Sequence, residues 1–173
     1  APSGGAGASS DQQVARGELM SKKILVTGSA GFIGGYVVQE LLDHGWDVVG
    51  IDNYSKYGKI LKSYDSHPNY HFFEGDVKNT NMMRELLADC DHLLAGAAMI
   101  GGISYFHQFA YDLIAENERI VASTLDAAID AHKNGRLQKV TMMSSSMVFE
   151  STDIYPTPEG AELTSPPPKS TYG

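Results

Sequence analysis

The chain has 173 residues, 42% of them apolar, and its 21 acidic against 13 basic residues give a formal charge of -8. A chain of this length is expected to fold as one domain and to bury roughly two thirds of its unfolded surface without disulfides or a structural metal. Its single cysteine, Cys90, excludes an internal disulfide framework and favours a reducing, cytoplasmic location. The acidic balance disfavours nucleic acid as a partner, and the sequence contains neither a signal-peptide pattern nor an apolar run of about 18 residues, so we expect no membrane span.

Residues 1–19 are rich in Gly, Ala and Ser and have no apolar periodicity, which predicts a flexible leader. Met20 directly precedes an apolar run, as a native start would. We therefore interpret residues 1–19 as a flexible leader or an expression remnant, and residues 20–173 as the folded domain.

Short apolar and β-branched runs alternate with segments of helical period from Lys23 onward. The runs predict strands at 23–27, 47–51, 70–74, 92–95 and 139–144. A helix is predicted at 32–44, ending at Gly45. A second helix is capped by Asn79 or Thr80 and runs through Leu87, and a long third helix precedes the last strand. The apolar stripe of that long helix consists of Leu113, Ile120, Val121, Leu125, Ala128 and Ile129. This alternation predicts an α/β fold with a doubly wound parallel sheet. Residues 54–68 give no clear signal, and 150–173 are predicted to be irregular.

Glycines at 28, 31 and 34 directly follow the first strand and open the first helix. Such spacing lets the chain turn tightly and lets the backbone approach a pyrophosphate, while the N–H groups at the helix start attract the anion. An ordinary glycine-rich turn explains this pattern about equally well when it is taken alone.

Asp52 follows the second strand, 18 residues after Gly34. That spacing is typical of an acid that accepts hydrogen bonds from an adenosine ribose, and its charge would repel a 2'-phosphate. NAD is therefore favoured over NADP. Lys56 and Lys59 argue weakly in the other direction, because a flexible lysine can reach a phosphate.

The remaining predicted strands also end in small or polar residues. The third is followed by Asp76 and Val77 and the fourth by Gly96, Ala97 and Ala98, and the fifth runs into Ser144, Ser145 and Ser146. Turn formation or tight packing explains each group singly. Because the carboxyl ends of parallel strands meet at one edge, we expect the groups together to line a ligand site.

Together these motifs resemble the extended short-chain dehydrogenase/reductases, in particular the nucleotide-sugar epimerases and dehydratases, over residues 22–173. The resemblance implies a Rossmann-type fold and a tightly held NAD. The cofactor contacts that it implies are Gly28, Gly31, Phe32, Ile33, Gly34, Asp52, Asn53, Asp76, Val77, Gly96, Ala97, Ala98 and Asn117. For Asn117, on the long helix, a polar residue on an exposed face is an equally good interpretation.

The resemblance also implies a catalytic hydroxyl, tyrosine and lysine. Tyr172 matches the tyrosine, and Ser145 matches the hydroxyl residue three positions before Val148, with Ser146 as the alternative register. The lysine would stand at position 176, and Lys169 cannot replace it because it precedes the tyrosine. The family's last strands and its small sugar-binding lobe would follow as well. We therefore expect this chain to be the N-terminal portion of a longer enzyme and not fully active by itself.

The implied activity is transient oxidation of a nucleotide sugar to a keto sugar, followed by hydride return. A 4-epimerase fits best, because the 4,6-dehydratases of this pattern carry Asp-Glu where Ser146 and Met147 stand, and the 3,5-epimerases carry a cysteine at the place of Met147. Residues 99–109 nevertheless resemble a loop of the 3,5-epimerases. An NADP-dependent reductase of the same superfamily and a non-catalytic dinucleotide sensor remain alternatives.

No metal site is predicted, because the six histidines lack ligand spacing with Cys or carboxylates. His107 could touch substrate, although a packed or solvent-facing histidine is the simpler interpretation. The long helix resembles the dimer face of the family, while core packing explains its apolar residues equally well.

Overall fold

The computed structural model of the protein describes residues 22–102 and 108–170 and contains one sheet of five parallel strands. The strands are β1 (Lys23–Thr27), β2 (Asp47–Asp52), β3 (Tyr70–Glu74), β4 (His92–Ala95) and β5 (Lys139–Met142). The helices are α1 (Phe32–Asp43), α2 (Thr80–Leu87) and α3 (Ala110–Asn134), followed by one-turn 3-10 helices at Ser146–Phe149 and Ala161–Leu163.

The strand order is β3-β2-β1-β4-β5, so the chain winds outward from β1 in one direction and then, from β4, in the other. All four pairings are parallel. This order confirms the predicted doubly wound, Rossmann-type sheet. The reversal of strand order between β1 and β4 opens the crevice in which such sheets bind ligands.

Two apolar cores lie on opposite faces of the sheet, because successive side chains of a strand point to opposite sides. Leu25 of β1 belongs to the core that contains Met83 of α2 and Ala127 of α3. Its neighbours Ile24 and Val26 belong to the core built with α1 through its buried residues Val38 and Leu42. Residues of β1 are thus buried on both faces, as expected for the central strand of a parallel sheet.

Three predicted boundaries differ from those observed. Strand β2 extends one residue further, to Asp52, because Asp52 still pairs with Glu74 of β3. Strand β5 ends at Met142 rather than at Ser144, because its partner β4 ends at Ala95, which pairs with Met142. Helix α1 ends at Asp43, and Gly45 follows with φ of +75°. Glycine adopts this left-handed conformation without steric cost, which confirms the predicted stop signal.

The predicted apolar stripe of α3 is wrong for Val121 and Ile129, which are 40% and 49% exposed. The buried face consists instead mainly of small residues, namely Ser123, Thr124, Ala127, Ala128 and Ala131 beside Leu113. Small side chains let a helix lie close to its neighbours. The buried Ser123 hydroxyl has a hydrogen-bond partner, because it donates to the carbonyl oxygen of Val77. On α1, Ile33 is likewise outside the core, since it is 57% exposed.

The segment between β2 and β3, residues 53–69, crosses over without a helix or strand. Its anchor is Tyr64, which is buried and packs edge-on against Tyr70 of β3, with ring centroids 5.2 Å apart. A Cβ atom on Gly35 of α1 would lie 3.1 Å from the Tyr64 hydroxyl oxygen. One tyrosine thus fixes a connection that has no regular structure.

At the amino end of the sheet, Asp91 joins three elements. Its carboxylate accepts the backbone N–H of Lys23 at 2.9 Å and two bonds from the Arg136 guanidinium at 2.8 and 2.7 Å.

Within the described ranges, no helix is both long and apolar enough to cross a membrane.

Candidate active site at the carboxyl edge of the sheet

The glycine loop after β1 lies against the end of β4. Gly28 has φ of +73°, and its N–H donates to the carbonyl oxygen of Ile51 at 2.9 Å. A Cβ atom on Gly28 would lie 3.1 Å from the backbone N and Cα of Ala97. The first glycine therefore meets two requirements at once, a left-handed turn and close approach of another backbone.

Helix α1 begins at the glycine loop without a side chain to cap it. Its N-cap is Gly31, no side-chain oxygen accepts the amides of the first turn within the described part of the chain, and that turn carries no acidic residue. The N–H groups of Phe32, Ile33 and Gly34 lie in the turn whose amides have no partner inside a helix. Together with the helix dipole they favour an anion at this point.

Asp52 links the glycine loop to the segment after β2. One carboxylate oxygen accepts the N–H of Ala30 at 3.1 Å, and the other accepts the N–H of Tyr54 at 2.7 Å. A carboxylate offers about four lone-pair positions, so these two bonds orient Asp52 and leave acceptor capacity for ribose hydroxyls. These bonds place Asp52 beside the glycine loop, and its role as the acid that accepts the ribose hydroxyls stays a prediction.

Thr27, the last residue of β1, connects the glycine loop to the turn after β4. Its Oγ1 accepts the N–H groups of Gly96 and Ala97, each at 3.0 Å. This role of Thr27 is not among those predicted from the sequence. A threonine at a strand end immediately before the glycine motif is the signal that could have indicated it.

Asp76 and Asn53 meet at the outer end of the edge, where the Asn53 amide nitrogen lies 3.5 Å from an Asp76 carboxylate oxygen. The other Asp76 oxygen accepts the N–H of Lys78 at 2.9 Å. The Val77 side chain is buried in the core. Any contact of Val77 with a ligand would therefore involve its backbone.

Lys56 and Lys59, the two lysines that argue for NADP, both have hydrogen-bond partners. Lys59 pairs with Glu74 at 2.6 Å, and this hydrogen bond raises the pKa of Lys59. Lys56 reaches across the edge, and its ammonium group donates to the carbonyl oxygen of Ile100 at 3.1 Å. Lys56 thereby connects the segments that follow β2 and β4.

Asn117 holds the segment after β4 by its backbone. Its Oδ1 accepts the N–H of Met99 at 2.8 Å, and its amide nitrogen donates to the carbonyl oxygen of Met99 at 3.0 Å. Such two-point recognition of a single residue fixes the backbone in position and orientation. Asn117 is half-buried and orders the backbone at Met99, and its assignment as a cofactor contact stays a prediction.

A groove of about 800 Å³ runs from the glycine loop to the residues after β5. Seven of the residues predicted to line the site do line this groove, namely Ile33, Gly34, Gly96, Ala98, Asn117, Ser144 and Ser145. The Ser145 hydroxyl oxygen accepts the N–H of Met147 at 3.2 Å, and Ser145 is half-buried, whereas Ser146 is exposed. The assignment of the catalytic hydroxyl to Ser145 rather than Ser146 stays a prediction. Tyr172 and His107 lie outside the described residues.

No group of three or more His, Cys, Asp or Glu side chains among the described residues has the arrangement of a metal site. The chain's one cysteine, Cys90, is fully buried, and burial raises the pKa of its thiol to about 12. It is therefore a core residue rather than a nucleophile.

A family model described as the NAD dependent epimerase/dehydratase family matches residues 24–173. The low-salt glycan biosynthesis protein Agl12 of Haloferax volcanii is 37% identical over 124 residues, which cover 66% of this chain and 38% of that protein.

Two solved structures are similar in fold. The UDP-glucose 4-epimerase of Thermotoga maritima, solved with UDP-glucose, is 28% identical with a TM-score of 0.69, over 87% of this chain and 46% of its own. The dTDP-glucose 4,6-dehydratase DesIV of Streptomyces venezuelae, solved as a double mutant with NAD bound, is 26% identical with a TM-score of 0.73, over 86% and 46%. The chain spans less than half the length of each of these three proteins.

Proposed function

Because this chain belongs to the NAD-dependent epimerase/dehydratase family, we propose that it is the cofactor-binding portion of a nucleotide-sugar 4-epimerase. The observation that carries the proposal is the groove that joins the uncapped start of α1 to Ser145. A site with an anion-binding end and a hydroxyl end fits a dinucleotide whose reactive ring lies beside the serine. The activity of the whole protein is part of this proposal.

The residues at the edge fit NAD. The first-turn amides of α1 would hold the pyrophosphate, and the oriented Asp52 carboxylate would accept the hydroxyls of the adenosine ribose. Asn117 would keep the wall formed by Met99 in place. When bound, NAD supplies a hydride acceptor and later returns the hydride.

The protein's own residues would transfer the proton. Tyr172 Oη would remove the proton from the sugar hydroxyl whose carbon is oxidised, and Ser145 Oγ would donate a hydrogen bond to the same oxygen. After the keto sugar has rotated to present its opposite face to the cofactor, Tyr172 Oη would return the proton to that oxygen. In the family pattern, the lysine four residues after the tyrosine lowers the tyrosine pKa.

The residues that follow Ser145 support epimerisation over dehydration. A dehydratase needs acid and base groups to move protons at neighbouring carbons, whereas the two positions after Ser145 hold Ser146 and Met147. The thiol that a 3,5-epimerase of this pattern would use is also missing from that place, and Cys90 lies in the core. Rotation of a keto sugar needs neither group.

The charges around Asp52 support NAD over NADP. Its carboxylate would face a 2'-phosphate at the ribose, and Lys59 is already paired with Glu74. Lys56 favours an NADP-dependent reductase, although its ammonium group donates to the carbonyl oxygen of Ile100.

The test is turnover of a nucleotide-sugar panel by the purified full-length protein, with products identified by NMR. We expect interconversion of C4 epimers, retention of NAD and no net cofactor consumption. Stoichiometric NADPH oxidation would overturn the proposal in favour of a reductase, and a 4-keto-6-deoxy product would assign a dehydratase. Tight NAD binding without turnover of any sugar would instead support a sensor.

A further inference from the structure

Tyr54 adopts a backbone conformation that a bulky residue rarely takes. Its φ is 56°, and among the residues that the structure describes it is the one non-glycine residue with a positive φ. The left-handed region brings the Cβ atom of an L-residue too close to the following carbonyl oxygen, so such a conformation persists only where surrounding contacts hold it. The contacts that hold Tyr54 therefore indicate what this turn does.

The Tyr54 ring anchors the segment after β2 to strand β3. Its centroid lies 5.2 Å from that of Phe72, a residue of β3 that packs against the core. The Lys59 ammonium nitrogen lies 5.4 Å from the Tyr54 centroid, within the range of a cation–π contact, and is paired with Glu74 at the end of β3. The ring thus contacts two partners that are both tied to β3.

The backbone of Tyr54 orients Asp52. The Tyr54 N–H donates to one Asp52 carboxylate oxygen at 2.7 Å, whereas the other oxygen accepts the N–H of Ala30 at 3.1 Å. The angle φ is the rotation about the N–Cα bond, so it sets the direction of the N–H relative to Cβ and hence to the anchored ring. With the ring fixed on β3, a φ of 56° fixes the direction in which the N–H points.

We propose that Tyr54 is a positioning residue, which raises NAD affinity by holding the Asp52 carboxylate in the orientation that accepts the adenosine ribose hydroxyls. This inference rests on the proposed function, in which Asp52 binds the ribose. Of the two backbone bonds to the carboxylate, the one from Tyr54 is the shorter. Loss of the ring would free φ to take the ordinary negative values and would turn this N–H away from Asp52.

Titration of the full-length protein with NAD tests the role of the ring. Tyr54→Phe keeps the ring and should change the dissociation constant by less than about 2-fold. Tyr54→Ala loses the ring but keeps a Cβ atom at a positive φ, so it should weaken NAD binding by about 10-fold, as loss of a hydrogen bond to a charged group does. Tyr54→Gly adopts this φ without steric cost and should lie between Phe and Ala. Tyr57→Ala, at an exposed tyrosine of the same segment, is the control and should leave NAD affinity unchanged.

A double-mutant cycle separates positioning of Asp52 from a general structural effect. If Tyr54 acts through Asp52, Tyr54→Ala should weaken NAD binding by less than about 3-fold in protein that already carries Asp52→Ala, because no carboxylate remains to be oriented. A general disturbance of the site would weaken binding equally in both backgrounds. An equal loss in both backgrounds would overturn the positioning role, and so would wild-type affinity in Tyr54→Ala.

Amide hydrogen exchange tests the contact in the absence of NAD. The amide of residue 54 should be protected in the wild type and in Tyr54→Phe, and should lose protection in Tyr54→Ala and in Asp52→Ala. An unprotected amide in the wild type would overturn this inference alone, even if Tyr54→Ala fails to fold. Failure of the wild type to bind NAD would instead overturn the proposed function.

Discussion

A Cβ atom placed on Gly34 would lie 2.0 Å from the carbonyl oxygen of Gly28. No side chain of a neighbouring residue can yield to remove this overlap, because the obstructing atom belongs to the backbone. The third glycine of the motif is therefore required by the approach of α1 to the loop that precedes it, whether or not a ligand is bound.

Gly34→Ala should destabilise the protein by about 2 kcal/mol, since overpacking costs up to about 3 kcal/mol and the helix preference of Ala offsets up to about 1. NAD affinity should fall by more than about 10-fold as the loop shifts. Urea unfolding and titration with NAD measure the two effects. Gly102→Ala is the matched control, because a Cβ there meets no atom of the described residues within 4 Å. Equal stability of the two variants would contradict the packing argument.

Asp52→Ala should weaken NAD binding by about 1 to 3 kcal/mol, because the carboxylate would accept charge-assisted bonds from the ribose and also orients Ala30 and Tyr54. NADP binding should be weakened less, since the like-charge repulsion of a 2'-phosphate disappears. Asp52→Asn keeps one carbonyl oxygen and should lie between the wild type and Ala. Unchanged NAD affinity in Asp52→Ala would mean that the adenosine lies elsewhere.

Ser145→Ala and Ser146→Ala form a pair that decides the register of the serine run. Ser145 lines the groove and Ser146 does not, so Ser145→Ala should lower kcat by about 100-fold, as loss of a hydrogen-bond donor to a developing charge does, and Ser146→Ala by less than about 2-fold. Ser145→Thr should recover part of the activity, because it keeps the hydroxyl that accepts the N–H of Met147. Steady-state kinetics of the full-length enzyme is the measurement, and the reverse order would assign the role to Ser146.

Asp91 should make the free energy of unfolding depend on pH in the acidic range. Burial alone would raise its pKa, but the Lys23 N–H and the Arg136 guanidinium outweigh burial and hold the pKa below its ordinary value of 3.8. Because the folded state favours the ionised form, this contribution is present above pH 3.8 and is lost as the pH falls through the lower, folded pKa.

Asp91→Asn should therefore cost about 2 kcal/mol at pH 7. The difference from the wild type should shrink as the pH falls below 4, as measured by urea unfolding at a series of pH values. Asp89→Asn is the control, because the exposed Asp89 to Lys23 pair should contribute less than about 1 kcal/mol. A wild-type to Asp91→Asn difference that stays constant down to pH 2 would contradict the linkage.

The extended short-chain dehydrogenase/reductase resemblance is confirmed by the family match, and the sheet it implies by the observed strand order. Those predictions depended on local signals. Apolar runs of four to six residues mark strands, and glycines after a strand mark the turn into α1, because both patterns act within a few residues of chain.

The incorrect predictions concern features that depend on residues distant in sequence. The end of β5 depends on where β4 stops, and the buried face of α3 depends on what packs against it, which is why Ala127 and Ala131 are in the core and Val121 is not. The hydrogen bonds of Thr27 to the Gly96 turn and of Glu150 to Ser170 join residues far apart in sequence. No periodicity within a single element indicates such pairs.

The sequence by itself determined the number of strands, the glycine turn, the acid at the end of β2 and the order in which polar groups follow the strands, because each is a property of short stretches of chain. Only the tertiary structure decided which groups share the groove, that Ser144 and Ser145 line it while Ser146 does not, and how Asp52, Asn117 and Glu150 hold backbone from other segments. The physical reason is that hydrogen bonds and packing between segments depend on distances in space, which the chain acquires only when the sheet and its helices have assembled.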